Sequence, residues 1–302
     1  MGTISRSNWY QNNKIGVWHR IEVVNGLYIS TGAVIEHRYP FDTTSYKFNT
    51  ALDKYWQKEN PDPLQFNPYN AFRTNVSIQY TPFQKYMTEP HKKIVLGSRW
   101  PTFSFYWEKG YQGIFNSVVN FDYISFAIEQ EFQIGTMGKS YYIVKSGKFV
   151  NQDSVLYIDK KFFRRSDSDP IFRYLMSQPL YSFQNLDSSY ETKDFYFELH
   201  YIHHFNGAIM NKIPFMKKTG IQALIGGGSL YLPEHNDYFY MEAYTGIERT
   251  FKFARRRLRI GAYVIFSWAN HSLSLPKDQK PKNVQFKISF DIMNERDLKF
   301  NF

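Results

Sequence analysis

Apolar and polar residues alternate through most of this chain. In residues 257–268, RLRIGAYVIFSW, every even position is apolar, and the odd positions are polar or small apart from Ile265. A period of two places successive side chains on opposite faces of a β-strand. No segment follows a helical period. The pattern therefore predicts an all-β fold made of amphipathic strands.

The alternation predicts about eleven strands. Their bounds are 15–24, 27–37, 70–80, 101–109, 122–134, 140–149, 194–205, 220–231, 238–252, 256–269 and 284–293. Many run to about 10 residues or more, whereas an ordinary strand has about 5 or 6. A membrane-spanning strand needs about 9 to 11 residues. These lengths favour strands that cross a membrane.

Two classes of β protein fit the composition. Aromatic residues make up 19% of the chain, and no run of about 18 apolar residues could form a transmembrane helix. A secreted β-sandwich alternates in this way, and so does a transmembrane β-barrel. In lipid, a closed sheet leaves no backbone group unpaired. We expect an antiparallel up-and-down transmembrane β-barrel, with the sandwich as the alternative.

The connections between strands differ in length. Short ones lie at Asn25–Gly26, 135–139 and 252–256, and long ones at 38–69, 150–193 and 270–283. Outer-membrane barrels have short periplasmic turns and longer loops outside. The stretches 81–100 and 206–219 are longer than that scheme predicts.

The chain ends in the alternating sequence LKFNF. Leu298, Phe300 and Phe302 continue the even-numbered apolar phase of residues 284–292. A terminal aromatic on an alternating strand resembles the signal that outer-membrane barrels present to their assembly machinery. The three residues are therefore a predicted C-terminal assembly signal. The alternative is the last strand of a sandwich that ends in Phe.

Polar residues occupy the reverse side of the apolar strand faces, which a barrel directs into its wet interior. The predicted interior-facing polar residues are Glu129, Glu131, Glu198, His200, His204, Glu242, Glu248, Arg257 and Arg259.

These polar residues do not form a recognisable catalytic or metal motif. The chain has no Cys, which excludes disulfides and thiolate chemistry. His200 and His204 share a strand face, but no carboxylate is spaced to complete a zinc site. Glu129 and Glu131 lie about 7 Å apart on one strand face, and a charge network explains them better than acid–base catalysis. We expect a non-enzymatic protein without metal or cofactor.

The net charge of +10 fits either ordinary surface charge that keeps the protein soluble or an anionic partner, nucleic acid or a membrane surface. The densest basic run, residues 254–259, reads as a turn that enters a strand. Anionic lipid headgroups or an interior lining account for it with fewer assumptions than nucleic acid. We therefore expect membrane lipid as a partner and no nucleic acid.

Three stretches resemble a known family. They are GSRWPTFSFYWEKGY at 97–111, GKSYYIVKSGKF at 138–149 and YIHHFNGAIMNKIPFMKK at 201–218. They resemble a Bacteroidetes family of outer-membrane proteins that carries a domain of unknown function. In that family the barrel follows a carboxypeptidase-regulatory-like β-sandwich. The similarity runs over residues 60–302.

That family is distantly similar to the BamA/TamA insertase superfamily, whose barrels have about sixteen strands. The resemblance implies that residues 1–302 form a single β-barrel domain. This domain would be the C-terminal portion of the parent protein, without its first strands and its sandwich.

The loop 150–193 would take the place of the superfamily's inward-folding loop. That loop carries an Arg-Gly-aromatic motif in BamA. This chain has Phe163-Arg164-Arg165 and Phe172-Arg173-Tyr174 instead, without Arg-Gly. Arg164, Arg165 and Arg173 are therefore candidate loop residues, and the insertase motif itself is not matched.

Three functions fit these observations. The first is a bacterial outer-membrane barrel that serves membrane-protein assembly, translocation or surface structure. Its partners would be outer-membrane lipid, the barrel assembly machinery during insertion and unidentified periplasmic proteins. The second is a passive or substrate-specific pore. The third is a secreted β-sandwich that binds glycans through its aromatic residues.

Overall fold

The computed structural model describes residues 2–3, 9–40, 65–90, 92–164, 175–176, 178–186, 190–253, 256–271 and 283–294. The strands are β1 (Gly2–Thr3), β2 (Trp9–Val24), β3 (Leu27–Pro40), β4 (Tyr69–Tyr80), β5 (Lys85–Glu89), β6 (Lys92–Gly97), β7 (Thr102–Gly110), β8 (Asn120–Gln133), β9 (Lys139–Ser154), β10 (Lys161–Phe162), β11 (Glu191–Thr192), β12 (Tyr196–His204), β13 (Ile221–Leu232), β14 (Tyr238–Phe253), β15 (Arg256–Ala269) and β16 (Val284–Asn294).

The helical segments are single 3₁₀ turns. They are Ile114–Asn116, Gly135–Met137, Tyr157–Asp159, Met210–Lys212 and Pro233–His235. Within the described part of the chain, no helix is long and apolar enough to cross a membrane.

Twelve strands form one antiparallel sheet in the order β1-β2-β3-β4-β7-β8-β9-β12-β13-β14-β15-β16. Each long strand pairs with the next long strand along the chain, which is an up-and-down meander. All eleven predicted strands are present, so the predicted all-β antiparallel fold is confirmed. One large sheet, and not two stacked sheets, carries these strands. Among the described residues, the ladders end at β1 and at β16.

The long connection 81–100 contains a hairpin of its own, β5–β6, beside the Asn25–Gly26 turn. The backbone N–H of Thr81 donates to the Gly26 carbonyl at 2.8 Å. The side-chain amide of Asn25 donates to the Gln84 carbonyl at 2.7 Å. Gly26 has φ of +84°, a conformation that favours glycine in a two-residue hairpin turn. The added hairpin therefore folds against this turn.

Burial along the strands follows the alternation, with the polar face buried. In β14, Tyr240 and Glu242 are 3% exposed, whereas Met241 between them is 49% exposed. In β16, Lys287 is 3% exposed and its neighbour Phe286 is 69% exposed. We call the buried, polar side of the large sheet the inner face and the exposed, apolar side the outer face.

The main core lies against the inner face. Its buried residues include strand tyrosines and aromatic residues from the connection between β9 and β12. We call this connection, residues 155–195, the inner loop. Phe163, Phe183, Leu186 and Tyr190 of the inner loop pack with Tyr196, Leu230, Tyr238 and Tyr240 of the sheet. The core therefore lies between the sheet and one loop that covers it.

Candidate functional site: the inner face and the loop that covers it

The inner loop is joined to the N-terminal half of the sheet by a buried ion pair. Asp159 lies in the 3₁₀ turn Tyr157–Asp159, and its Oδ1 is 2.6 Å from Nη1 of Arg38 in β3. Both side chains are almost completely shielded from solvent. The same nitrogen of Arg38 donates to the Tyr69 hydroxyl at 2.9 Å. Burying both charges costs desolvation energy, and the additional hydrogen bonds help to offset that cost. The pair can therefore hold the loop in place.

The Arg38–Asp159 pair continues into a network across three strands. Arg38 contacts Glu36 at 2.6 Å. Arg73 in β4 bridges Glu36 at 2.7 Å and Glu108 in β7 at 2.6 Å. The side chains of Glu36 and Arg38 are buried, and those of Arg73 and Glu108 are 21% and 16% exposed, so the network lies on the inner face. The network compensates charges that would otherwise be costly to bury.

A carboxylate fastens the loop to the C-terminal half of the sheet. Glu242 of β14 accepts hydrogen bonds from the backbone N–H groups of Gln184 at 2.8 Å and Asn185 at 3.1 Å. The hydroxyl of Tyr240 also donates to Glu242, at 2.8 Å. The side-chain amide of Asn185 reaches Ser267 of β15 at 2.5 Å. Glu242 therefore holds two loop amides that would otherwise be buried without acceptors.

Glycine in β13 makes room for the loop. The ring of Phe183 lies 4.5 Å from the ring of His200, directly over Gly228. A Cβ atom at Gly228 would lie 3.0 Å from the Phe183 ring and 3.1 Å from His200 Nδ1. The sequence GGGS at 226–229 favours a close backbone approach or a bend, and the structure shows that Phe183 approaches Gly228.

The inner loop also reaches the last strand of the sheet. The backbone N–H of Met176 donates to the Ile288 carbonyl at 2.7 Å, and Leu175 forms a parallel bridge with Ile288. Met176 and Leu180 pack on buried residues of β12 to β15. The Ile288 carbonyl of β16 therefore accepts a hydrogen bond from the inner loop.

The end of the inner loop rests on the turn between β13 and β14. The rings of Tyr190 and Tyr238 are stacked with centroids 4.4 Å apart. The Thr192 hydroxyl and the Lys193 N–H both donate to Glu234 Oε2, at 2.6 and 2.9 Å. Burial opposes the ionisation of Glu234, but these hydrogen bonds outweigh it and lower the pKa of the carboxyl.

Four of the predicted interior polar residues form two separate clusters. Glu198 Oε1 lies 2.8 Å from His200 Nε2, and both residues are buried. Glu248 accepts a hydrogen bond from Tyr263 at 2.7 Å, and His204 Nδ1 lies 3.7 Å from it. Each histidine therefore has its own carboxylate. In the described residues, no three metal-ligating side chains come together.

The other predicted polar residues of the sheet are less buried. Arg259 lies 3.9 Å from Glu248, and Glu131 pairs with Lys139 at 3.1 Å. Glu129 and Arg257 are partly buried. Glu131 and Arg259 therefore each take part in an ion pair.

Of the candidate loop arginines, Arg164 is exposed and its carbonyl accepts a hydrogen bond from Phe183 N–H at 2.9 Å. Arg165 and Arg173 lie outside the described residues, as do Leu298, Phe300 and Phe302.

Sequence reasoning missed the Arg38, Arg73, Glu108 and Asp159 network. The sequence indicated part of this network, because Glu36 and Arg38 lie on the polar face of a strand with alternating apolar and polar residues. Asp159 had no such signal, because it lies in a loop without periodicity.

A comparison with models of protein families identifies the family of this chain. A family model described as the C-terminal domain of a family of unknown function, DUF5686, matches residues 3–247. No curated protein matches the chain. The match covers most of the sequence and confirms the predicted resemblance to a family with a domain of unknown function. The chain belongs to the DUF5686 family, and the match is to its C-terminal domain.

Proposed function

We propose that this chain forms part of a β-barrel in the bacterial outer membrane, with its outer face in lipid and its inner face filled by the inner loop. Its role would be membrane-protein assembly, translocation or surface structure, without enzymatic activity. Within this proposal the parent protein is a Bacteroidetes member of the BamA-like barrels and carries a carboxypeptidase-regulatory-like domain.

The exposed apolar outer face carries this proposal. Ten large apolar side chains on β13 to β16 are 38% to 69% exposed: Ile225, Met241, Ile247, Phe251, Phe266, Trp268, Val284, Phe286, Ile288 and Phe290. Transfer of each from water to an apolar medium is worth on the order of 1 kcal/mol, since part of each side chain is already covered. Continuous apolar patches larger than a few hundred Å² are unusual on a soluble monomer.

The buried polar inner face supports the same proposal. A sandwich would bury the apolar faces and expose Glu242, Glu198 and His200. Here those three residues are buried and each has a hydrogen-bond partner, while the apolar residues face outward. Polar residues inside and apolar residues outside are the arrangement of a transmembrane barrel.

The inner loop argues against a passive pore. It touches the sheet from Arg38 in β3 to Ile288 in β16, and it buries aromatic side chains along that path. An open water channel needs a free polar lumen. A loop held by a buried ion pair and by Glu242 favours a closed barrel whose function lies at its surfaces.

The deciding experiment is heat-modifiability of the full-length parent protein in detergent. A closed barrel resists detergent, so an unheated sample should migrate faster on a denaturing gel than a boiled sample. In liposomes with brominated lipids, the exposed Trp268 should be quenched. Solubility in plain buffer, no gel shift and no quenching would together overturn the proposal.

Conductance across a planar bilayer tests the pore alternative. We expect the wild-type protein to show only rare, small openings. Steady channels of porin size would contradict the closed interior and favour the pore.

A further inference from the structure

A cavity of about 400 Å³ lies between the inner loop and the inner face of the sheet. Strands β4, β7, β8, β9 and β12 form its floor, and residues 158–161 of the inner loop form its cover. Binding sites for small molecules have volumes of about 300 to 1,000 Å³, so the cavity has room for one small ligand.

Cations outnumber acids in the lining of this cavity. Arg73, Lys145, Lys160 and Lys161 face two carboxylates, Glu108 and Asp159. Both carboxylates are already held at 2.6 Å, Glu108 by Arg73 and Asp159 by Arg38. The remaining positive charge therefore belongs to the three lysines.

Two of these lysines have weak partners. Lys145 lies 3.7 Å from Glu198, whose same oxygen is bound to His200 at 2.8 Å. Lys160 lies 3.6 Å from Glu191. Both distances exceed the length of a good charge-assisted hydrogen bond, about 2.7–2.9 Å. Neither lysine is fully neutralised by its neighbour.

Lys161 has no ion pair with any described residue, and rings surround it instead. Its Nζ lies 5.6 Å from the centroid of Tyr196 and 5.9 Å from that of Phe163. Burial lowers the pKa of Lys161, and Glu198 only partly opposes this effect. Lys161 is half-buried. An ammonium that is partly removed from water without a carboxylate partner is costly, and an anionic ligand would offset that cost.

Aromatic side chains form much of the remaining cavity wall, together with Ser125, Ala127 and Ile158. Phe121 and Phe149 meet edge to face at 5.7 Å, and Tyr123 lies beside Phe149 at 4.8 Å. The hydroxyls of Tyr123 and Tyr196 are hydrogen-bonded to each other at 2.7 Å. Such a wall suits the flat C–H face of a ring and leaves the ligand charge to the lysines.

We propose that this cavity binds a small organic anion of monosaccharide size, whose carboxylate or phosphate contacts Lys161 and whose ring lies on Phe121 and Phe149. The site goes beyond the proposed membrane role, because its geometry depends only on the inner face and the inner loop.

The test is isothermal titration of the detergent-solubilised full-length parent protein with glucuronate, glucose 6-phosphate and glucose. We expect at least one anion to bind and the neutral sugar to bind much more weakly. Lys161→Met keeps the aliphatic stem and removes the charge, and should weaken anion binding at least about tenfold. Lys148→Met, the same change at an exposed lysine outside the cavity, should leave it unchanged.

Preference between the two anions identifies which acid group the site takes. If neither anion binds, if glucose binds equally well, or if Lys161→Met binds as tightly as wild type, the proposal is overturned. Should Lys161→Met not fold, lysine acylation followed by mass spectrometry replaces it. Glucuronate or glucose 6-phosphate should protect Lys161 and not Lys148 in the wild-type protein, and equal labelling of Lys161 with and without ligand would also overturn the proposal. A gel shift tests the membrane role separately.

Discussion

The guanidinium of Arg38 and the carboxylate of Asp159 lie 2.6 Å apart, although 121 residues separate them in sequence. One residue belongs to the second long strand of the sheet and the other to the inner loop. The pair is therefore the contact through which the loop is fixed to the N-terminal half of the sheet.

Replacing Asp159 with Asn should destabilise the protein. The change removes one of the two carboxylates that contact the buried Arg38 and leaves the other, Glu36, so we expect a loss of about 1–3 kcal/mol, as for one hydrogen bond to a charged group. Urea unfolding in detergent, followed by tryptophan fluorescence, measures the loss. Glu89→Gln, which removes an exposed pair with Lys92, should change stability by less than about 0.5 kcal/mol. Equal effects of the two changes would show that the Arg38–Asp159 contact is not formed.

Replacing Glu242 with Leu should release the middle of the inner loop. The backbone amides of Gln184 and Asn185 lose their acceptor, at a cost of about 1–3 kcal/mol for each unsatisfied group. Trypsin should then cut faster at Lys160, Lys161 or Arg164. Glu248→Leu is the matched control, because Glu248 has the same strand and the same face but bonds to Tyr263. Faster cutting in both variants would contradict a specific role for Glu242.

The substitution Ile247→Lys tests whether the outer face is surrounded by lipid or by water. Ile247 is 42% exposed in the middle of β14, and Ile213, in the turn after β12, is 44% exposed. In water, Ile247→Lys and Ile213→Lys should be similarly mild. In a bilayer, Ile247→Lys should cost up to about 2–4 kcal/mol near the midplane, and Ile213→Lys little. The measured quantity is the heat-modifiable fraction after folding into liposomes.

Acid should loosen the attachment of the inner loop to the β13–β14 turn. The pKa of Glu234 is lowered in the folded protein, and an unfolded Glu titrates near about 4.3. Its stabilising effect is therefore complete above that pH and is lost as the pH falls through the lower folded value. Hydrogen exchange at the Lys193 amide, corrected for the intrinsic rate, should accelerate below about pH 4.3.

The control for this pH effect is Glu234→Gln, which keeps one acceptor oxygen and does not titrate. Its exchange protection at Lys193 should be independent of pH over the same range. A pH response that persists in Glu234→Gln would assign the effect to another group.

The strands were predictable because each of them carries its own signal. Met241 lies on the outer face and Glu242 on the inner face. This alternation repeats every two residues along β14 and does not depend on which strands lie beside it. That Glu198, His200 and Glu242 lie on the polar face of their strands followed from the same alternation.

The contacts of the inner loop were not predictable in this way. Asp159, Phe183 and Asn185 find their partners through packing between distant parts of the chain, and no local period marks them. The glycines at 226–229 allow a close approach or a bend of β13, but only the structure identifies Phe183 as the side chain at Gly228. The direction of each side chain is a local property, whereas its partner is a property of the whole fold.

The two ends of the inner loop link distant parts of the sheet. Asp159 is tied to β3, and Thr192 is tied to Glu234 in the turn between β13 and β14. Lys161 and Phe162 of β10 pair with Thr192 and Glu191 of β11. Therefore β3 and the β13–β14 turn could not move apart without breaking the Arg38–Asp159 pair, the β10–β11 pairing or the bond to Glu234.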